Sequence, residues 1–274
     1  ELFERMERET FHPDKVTFLS VIKACIKLGN LGYGKKIHNH VRKRRLESDI
    51  FIASTLVDMY AKCGGIDEAQ YMFDRIKEKN EVAWNSIIAG YVQHNKLDLA
   101  FKLFGQMSEF GTKPVKVTFL SILKACANCG DLEEGKHVHN LIVMNNFETD
   151  SFIGNSIVDM YAKCGDVDSG HHVFDGLTDQ SLVSWNALIF GYLYQAQTEL
   201  VFELFVEMLS VNIELNEVTF ITMIKACLSP EFLVDGRQIH SYIVESKVES
   251  FLYLGNSLID MYSRCRSIED AQQV

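Results

Sequence analysis

Cys126 and Cys129 form a Cys-x-x-Cys, the usual half of a zinc site or of a redox pair. Completing a zinc site takes a second pair at a suitable distance, and the sequence has none. Cys126 also stands in a Lys-Ala-Cys setting shared with Cys25 and Cys227, each 101 residues from the next, whereas Cys129 has no counterpart. Six of the seven cysteines follow the same lag, including Cys63, Cys164 and Cys265. They read as small buried residues of the kind kept reduced inside cells. Two stretches, GDLEEGKH (130–137) and GNLGYGKK (29–36), imitate a phosphate-cradling loop. A working loop follows a strand and ends in Ser or Thr to hold magnesium. Here His137 and Lys36 stand at that place, and the glycines suit turns between helices, so nucleotide binding is rejected. His38, His139 and His240 recur at the same lag and read as structural. A base deaminase would carry His-x-Glu. None of the nine histidines is followed two residues later by Glu, so the chain is not expected to be an enzyme, nor to use a cofactor, a metal or a small-molecule substrate.

The elements that carry these residues repeat. His38, His139 and His240, Trp84 and Trp185, and Pro13 and Pro114 all keep the lag of 101. LVDMYAKCGGIDEA (56–69) returns as IVDMYAKCGDVDSG (157–170) and LIDMYSRCRSIEDA (258–271). Inside each 101-residue block lie units of 35, 31 and 35 residues, and each reads as two short helices. In 81–115, Val82, Ile87, Ile88 and Tyr91 make a first apolar stripe, and Leu99, Ala100, Leu103, Phe104 and Met107 a second. The polar QHNKLD (93–98) between them suits a tight turn, a place taken elsewhere by Gly64-Gly65 and Gly165-Asp166. No helix pair can bury its stripe alone, so the expected fold is all-α, a right-handed superhelical solenoid of stacked helix-turn-helix repeats over 1–274. The expected units are 15–49, 50–80, 81–115, 116–150, 151–181, 182–216 and 217–251, with partial units at 1–14 and 252–274. Both ends therefore read as cuts through a repeating unit.

Composition sets limits. With 47% hydrophobic residues a large core is available, and no uncharged apolar run is long enough to suit a membrane span. The formal charge of −10 argues against loose electrostatic binding to nucleic acid, though a neutral or basic groove with acidic outer faces is still compatible with it. The one basic cluster, Arg42 to Arg45, reads as a solvated helix end or a non-specific phosphate contact.

EVAWNSIIAGYVQHNKLDLAFKLFGQM (81–107) and LVSWNALIFGYLYQAQTELVFELFVEM (182–208) resemble the P unit of plant pentatricopeptide repeat (PPR) proteins. VTFLSILKACANCGDLEEGKHVHNLI (117–142) resembles the longer L unit, and FIGNSIVDMYAKCGDVDSGHHVF (152–174) the short S unit. The ordered succession of three unit types resembles the PLS subclass. The 34-residue tetratricopeptide repeat, with its tryptophan-leucine-glycine signature, is not matched. The resemblance implies binding of single-stranded RNA, one unit per base, in a mitochondrion or chloroplast, and selection of sites for C-to-U editing.

In that family the fifth and last residues of a unit read the base, and the second packs against it. Carried over, the readers are Ser54 with Asn80, Asn85 with Val115, Asn155 with Ser181, Asn186 with Asn216, and Asn256 alone. The packing residues are Phe51, Val82, Phe152, Val183 and Tyr253. An Asn amide both donates and accepts, which suits a Watson–Crick edge. The L units carry Leu19, Leu120 and Ile221 at the fifth place and are non-coding on this reading. Ser with Asn resembles an adenine reader, and Asn with Asn or Ser a pyrimidine reader leaning to cytosine. Val115 cannot hydrogen-bond and leaves its unit with no choice finer than a pyrimidine. The implied target is 5′-N-A-Y-N-C-C-N-Y-3′ (Y a pyrimidine, N any base). A polar residue early in a helix can equally cap it, but Asn recurring at 85, 155, 186 and 256 favours base reading. Phe51, Phe152 and Tyr253 fit base packing or inter-repeat core alike. The alternatives are a protein-binding solenoid, with editing-factor proteins docking on the L units, and RNA binding that serves splicing or transcript protection.

Overall fold

The computed structural model describes Phe3, Arg5, Met6 and residues 11–274, except 212 and 247–250, and of Phe251 the backbone alone. Half of the first partial unit, 1–14, lies outside the described residues. Among the described residues there are sixteen α-helices, one short 3-10 turn and no strand. They fall into two compact units, residues 1–125 and 126–274.

In the first unit the helices are α1 (Lys15–Leu28), α2 (Leu31–Lys43), α3 (Ile50–Lys62), α4 (Ile66–Arg75), α5 (Glu81–Gln93) and α6 (Leu97–Glu109). Helix α7 (Lys116–Cys129) contains the boundary. The second unit continues with α8 (Leu132–Met144), α9 (Ser151–Lys163), α10 (Val167–Asp175), α11 (Leu182–Tyr194), α12 (Thr198–Ser210) and α13 (Glu217–Ala226). It ends with α14 (Leu233–Ser246), α15 (Phe251–Arg264) and α16 (Ile268–Gln273). The first helices open at residues 15, 50, 81, 116, 151, 182, 217 and 251, and one further α-helix follows each.

The residue just before each first helix explains that register. Asp14, Asp49, Asn80, Asp150, Ser181 and Asn216 are N-caps whose side chains accept from backbone N–H groups of the first turn. Each satisfies donors that the helix itself cannot. First helices also end sharply. Gly64 and Gly165 turn the chain at φ +93° and +83°, and Asn95 and Ala196 hold the corresponding place in 81–115 and 182–216 at φ +55° and +58°.

Within the first unit α1 packs on α3 and α3 on α5, while in the second α9 packs on α11, α11 on α13 and α13 on α15. Each of α1, α3, α5, α9, α11, α13 and α15 also packs on its own second helix. Apolar residues are therefore buried on several sides of such a helix, and aromatic side chains occupy the centre. Trp84 meets Phe73 edge-on at 4.8 Å, and Trp185 meets Phe174 at 4.6 Å. Small residues allow close approach. A Cβ on Gly135 would overlap the Met160 sulfur, and one on Gly191 would lie 2.7 Å from Val167 Cγ2.

Two sequence expectations for the 81–115 stripes are corrected. Val82 and Leu99 are exposed, while Ile87, Ile88, Tyr91, Ala100, Leu103, Phe104 and Met107 are buried. Leu99 lies at the edge of its stripe, whereas Val82, nine residues before Tyr91, lies about half a turn round α5 from it.

Candidate nucleic-acid interface

The second residue of every unit is uncovered. Val16, Phe51, Val82 and Val117 in the first unit, and Phe152, Val183, Val218 and Tyr253 in the second, are 53–70% exposed. Two places further on, Phe18, Trp84, Phe119, Trp185 and Phe220 are almost wholly buried. Phe51, Phe152 and Tyr253 are thus not inter-repeat core. Leaving an apolar side chain in water at one fixed repeat position forgoes roughly 1.5–3 kcal/mol each time, which marks the position as a contact surface.

Beside this row the fifth residue of a unit meets the residue that caps the next first helix. Ser54 Oγ lies 2.8 Å from Asn80 Oδ1, and that same oxygen accepts the Ala83 N–H at 2.9 Å. Capping therefore fixes the Asn80 amide, with its oxygen on the helix and its NH2 turned away. Asn186 Nδ2 reaches Asn216 Oδ1 at 3.4 Å. In 81–115, where Val115 offers no side-chain group, Thr118 Oγ1 stands 2.5 Å from Asn85 Oδ1 instead. Asn155 and Ser181 are not joined, and Asn155 Oδ1 is buried without a hydrogen-bond partner. Asn256 is exposed, whereas Ser54 is 1% exposed, which leaves the Asn80 amide as the polar group of that pair able to meet a ligand. Leu19, Leu120 and Ile221 are half-buried at the same place in the L-type units.

The sequence reading missed a set of cations. Positions two, five, nine and thirteen of a first helix share one face, because spacings of three, seven and eleven residues return to the same side. Lys23, Lys124 and Lys225 occupy the ninth position of α1, α7 and α13; all three are exposed and none has an ion-pair partner among the described residues. Lys62, Lys163 and Arg264, at the thirteenth position of the units 50–80, 151–181 and 252–274, pair with Asp58, Asp159 and Asp260 one turn earlier at 2.9, 2.7 and 3.0 Å. The signal was present in the Lys-Ala-Cys triplets, whose lysine lies seven residues after the exposed valine. The first-helix face thus combines apolar contact, fixed amides and positive charge in a chain of net charge −10.

The other chemical motifs are accounted for by packing. Cys126 is wholly buried and Cys129 exposed, with Cys129 Sγ 3.5 Å from the Cys126 carbonyl oxygen. Cys25, Cys227 and Cys265 are buried, while Cys63 and Cys164 are only partly covered, a departure from uniformly buried repeat cysteines. Burial pushes the Cys227 thiol up to about 12 and that of Cys164 to about 11. The recurring histidines bond tyrosines of the next repeat: His38 Nδ1 to Tyr60 at 2.7 Å, His139 to Tyr161 at 3.0 Å and His240 to Tyr262 at 3.0 Å. The glycine-rich stretches at 29–36 and 130–137 lie at helix starts, where Asn30 and Asp131 serve as N-caps. Arg42 to Arg45 are exposed at the end of α2, with Arg42 paired to Glu47 at 3.0 Å. The described residues hold no group of three or more His, Cys, Asp or Glu placed to hold a metal, and no helix is long and apolar enough to cross a membrane.

Known proteins resemble this chain in sequence and in fold. A model of the PPR repeat family matches residues 79–128 and 180–229, and a PPR repeat model matches 51–81, 117–147 and 155–180. A chloroplastic pentatricopeptide repeat-containing protein of Arabidopsis thaliana is 37% identical over 271 residues, which is 99% of this chain and 32% of that protein. A mitochondrial one from the same plant is 38% identical over 272 residues, 99% of this chain and 26% of that protein. The chain spans less than half the length of these relatives. The crystal structure of the pentatricopeptide repeat protein PPR10 from maize superposes with a TM-score of 0.81 at 21% identity, covering 99% of this chain and 39% of that one. PPR10 in complex with an 18-nt psaJ RNA element gives a TM-score of 0.82, covering 99% and 41%.

Proposed function

The chain belongs to the PPR repeat family, and from that premise we propose that its first-helix face binds single-stranded RNA with one base to each repeat. The observation that carries this reading is the exposed apolar residue at the second place of each unit, beside a polar pair made by the fifth residue and the cap of the next helix. An apolar side chain can cover the face of an unstacked base while the amides meet its edge. Lys23, Lys124 and Lys225 lie further along the same helix face, where phosphates would follow. The RNA-bound state of PPR10, a protein of the same fold, supports the assignment.

The repeats up to 116–150 would read 5′-N-A-Y-N and those from 151 onward C-C-N-Y-3′. Ser54 with Asn80 faces the adenine; Asn85 with Val115, Asn155 with Ser181, Asn186 with Asn216, and Asn256 face pyrimidines. Phe51, Val82, Phe152, Val183 and Tyr253 pack on the bases. The succession of 35-, 31- and 35-residue units supports membership of the PLS subclass, and with it a role in choosing C-to-U editing sites. Chloroplastic and mitochondrial relatives support an organellar location.

The test is a titration of the chain into labelled RNA carrying the string, against a strand with guanine in place of the adenine and both cytosines, at two salt concentrations. A preference that survives added salt is the expected result. Equal binding that fades with salt would reduce the function to a generic phosphate grip, and no binding by the folded chain would favour a protein-docking array.

A further inference from the structure

The third residue of a unit has no part in the reading above, yet Thr118 and Thr219 are wholly buried between the fifth residue of one unit and the first turn of the next. Thr118 Oγ1 accepts the backbone N–H of Val115 at 3.0 Å and stands 2.5 Å from Asn85 Oδ1. A backbone N–H only donates, so the hydroxyl proton is directed onward, and the Asn85 atom that faces it has to be an acceptor. The amide is held with its carbonyl on Thr118 and its NH2 toward the open face.

The second unit repeats this with different partners. Thr219 Oγ1 lies 2.8 Å from Asn186 Oδ1 and 3.0 Å from Asn216 Oδ1. Asn216 Oδ1 already caps the Thr219 N–H at 3.0 Å and is approached by Asn186 Nδ2 at 3.4 Å. With Asn186 donating to that oxygen, the hydroxyl proton goes to Asn186 Oδ1, and one N–H of Asn186 is left for a ligand. Asn155 has no such partner. The third residue of the next unit is Ser184, whose hydroxyl donates to the Ser181 carbonyl at 2.9 Å, and Asn155 Oδ1 is left buried and unpaired.

We propose that Thr118 and Thr219 are specificity-determining positioning residues, each orienting the reading Asn of the preceding unit so that it meets a base as a donor. An NH2 facing the base suits N3 and O2 of cytosine and opposes the N1–H of guanine. The L-type units, which place an apolar residue at their own fifth position, thereby set the reader of the unit before them. Asn155 and Asn186, alike in residue type, differ in discrimination. This inference rests on the base-reading function proposed above.

The experiment uses fluorescence anisotropy with uridine-flanked RNAs bearing the string, differing only in C or G at the sixth nucleotide (facing Asn186) or at the fifth (facing Asn155). The wild-type chain is expected to discriminate more strongly at the sixth. Thr219→Val removes the hydroxyl at nearly constant volume and should lower the sixth-place C:G ratio by roughly five-fold, the scale of one lost hydrogen bond. The fifth-place ratio should not move, and Thr219→Ser should restore the sixth. Asn186→Ala separates the two ideas. If it abolishes the sixth-place preference and Thr219→Val does not, the positioning role is overturned while base reading stands. If Asn186→Ala also leaves the preference intact, base reading fails and this inference with it. Should Thr219→Val fail to fold by circular dichroism, Thr118→Val read at the third nucleotide decides in the same way.

Discussion

The hydroxyl oxygen of Ser54 lies 2.8 Å from Oδ1 of Asn80, the residue that caps the next first helix. A reading pair is thus built across a repeat boundary, and one of its members is also a structural cap. Replacing Ser54 with Asn reproduces the pairing of 182–216 and should move the preference at the second nucleotide from adenine toward cytosine. Competition between two RNAs that differ only at that base measures it. An unchanged adenine preference would mean that the Asn80 amide alone sets the choice.

The cations of α1, α7 and α13 should act without regard to sequence. Changing Lys23, Lys124 and Lys225 together to Ala should weaken binding to matched and mismatched strands equally. It should also reduce the slope of log K against log salt by about 2, at roughly 0.7 for each lost single-strand phosphate contact. A change in base preference with an unchanged slope would place these lysines away from phosphate.

Ala196 sits at φ +58°, a left-handed conformation that costs an L-residue roughly 1–2 kcal/mol. Its counterpart 101 residues earlier is Asn95, and Gly165 holds the same kind of turn at φ +83°. Ala196→Gly should stabilise the chain by about 0.5–1 kcal/mol, the relief of strain less the entropy that glycine adds to the unfolded chain. Urea unfolding reads this directly, and a loss of stability would show that the strain is absent.

Trp185 is buried, and its indole Nε1 has no hydrogen-bond partner. Trp185→Ala should cost about 3–5 kcal/mol through the cavity it leaves against Phe174. Trp185→Phe should cost less than about 2 kcal/mol, because it also removes an unpaired buried donor whose desolvation is worth about 1–3 kcal/mol. Equal losses in the two variants, measured by denaturant titration, would indicate that the indole N–H is satisfied.

Burial holds His139 and His240 below their ordinary value of 6.5. The unfolded chain therefore takes up protons that the folded chain refuses, and stability falls as pH drops below 6.5 toward the depressed folded values. His38 is also lowered by burial, with Glu47 opposing the shift. Melting temperatures should decline between pH 7 and pH 5, and His139→Gln with His240→Gln should flatten that decline (ordinary carboxylate titration comes lower, near about 4). A slope unchanged by the double substitution would assign the decline to other groups.

Much of this was legible in the residues themselves. The lag of 101 and the 35-, 31- and 35-residue units give the number of helix pairs and where each begins, because caps such as Asn80, Asp150 and Asn216 announce a helix start by their own chemistry. The Asn of the fifth place could be found for the same reason, by counting from the unit's first residue. What is covered and what is left open could not. A first helix is packed on several sides, so apolar character marks Val82 and Ile87 alike, and only the neighbouring helices bury one and expose the other. The polar contacts are likewise tertiary. Ser54 with Asn80 and Asn85 with Thr118 join residues 26 and 33 apart, a separation at which no local propensity acts. The sequence therefore determined the repeat, its register and the residue types on offer. The packing of helix on helix decided which apolar side chains face outward, which lysines share their face, and which way each asparagine amide points.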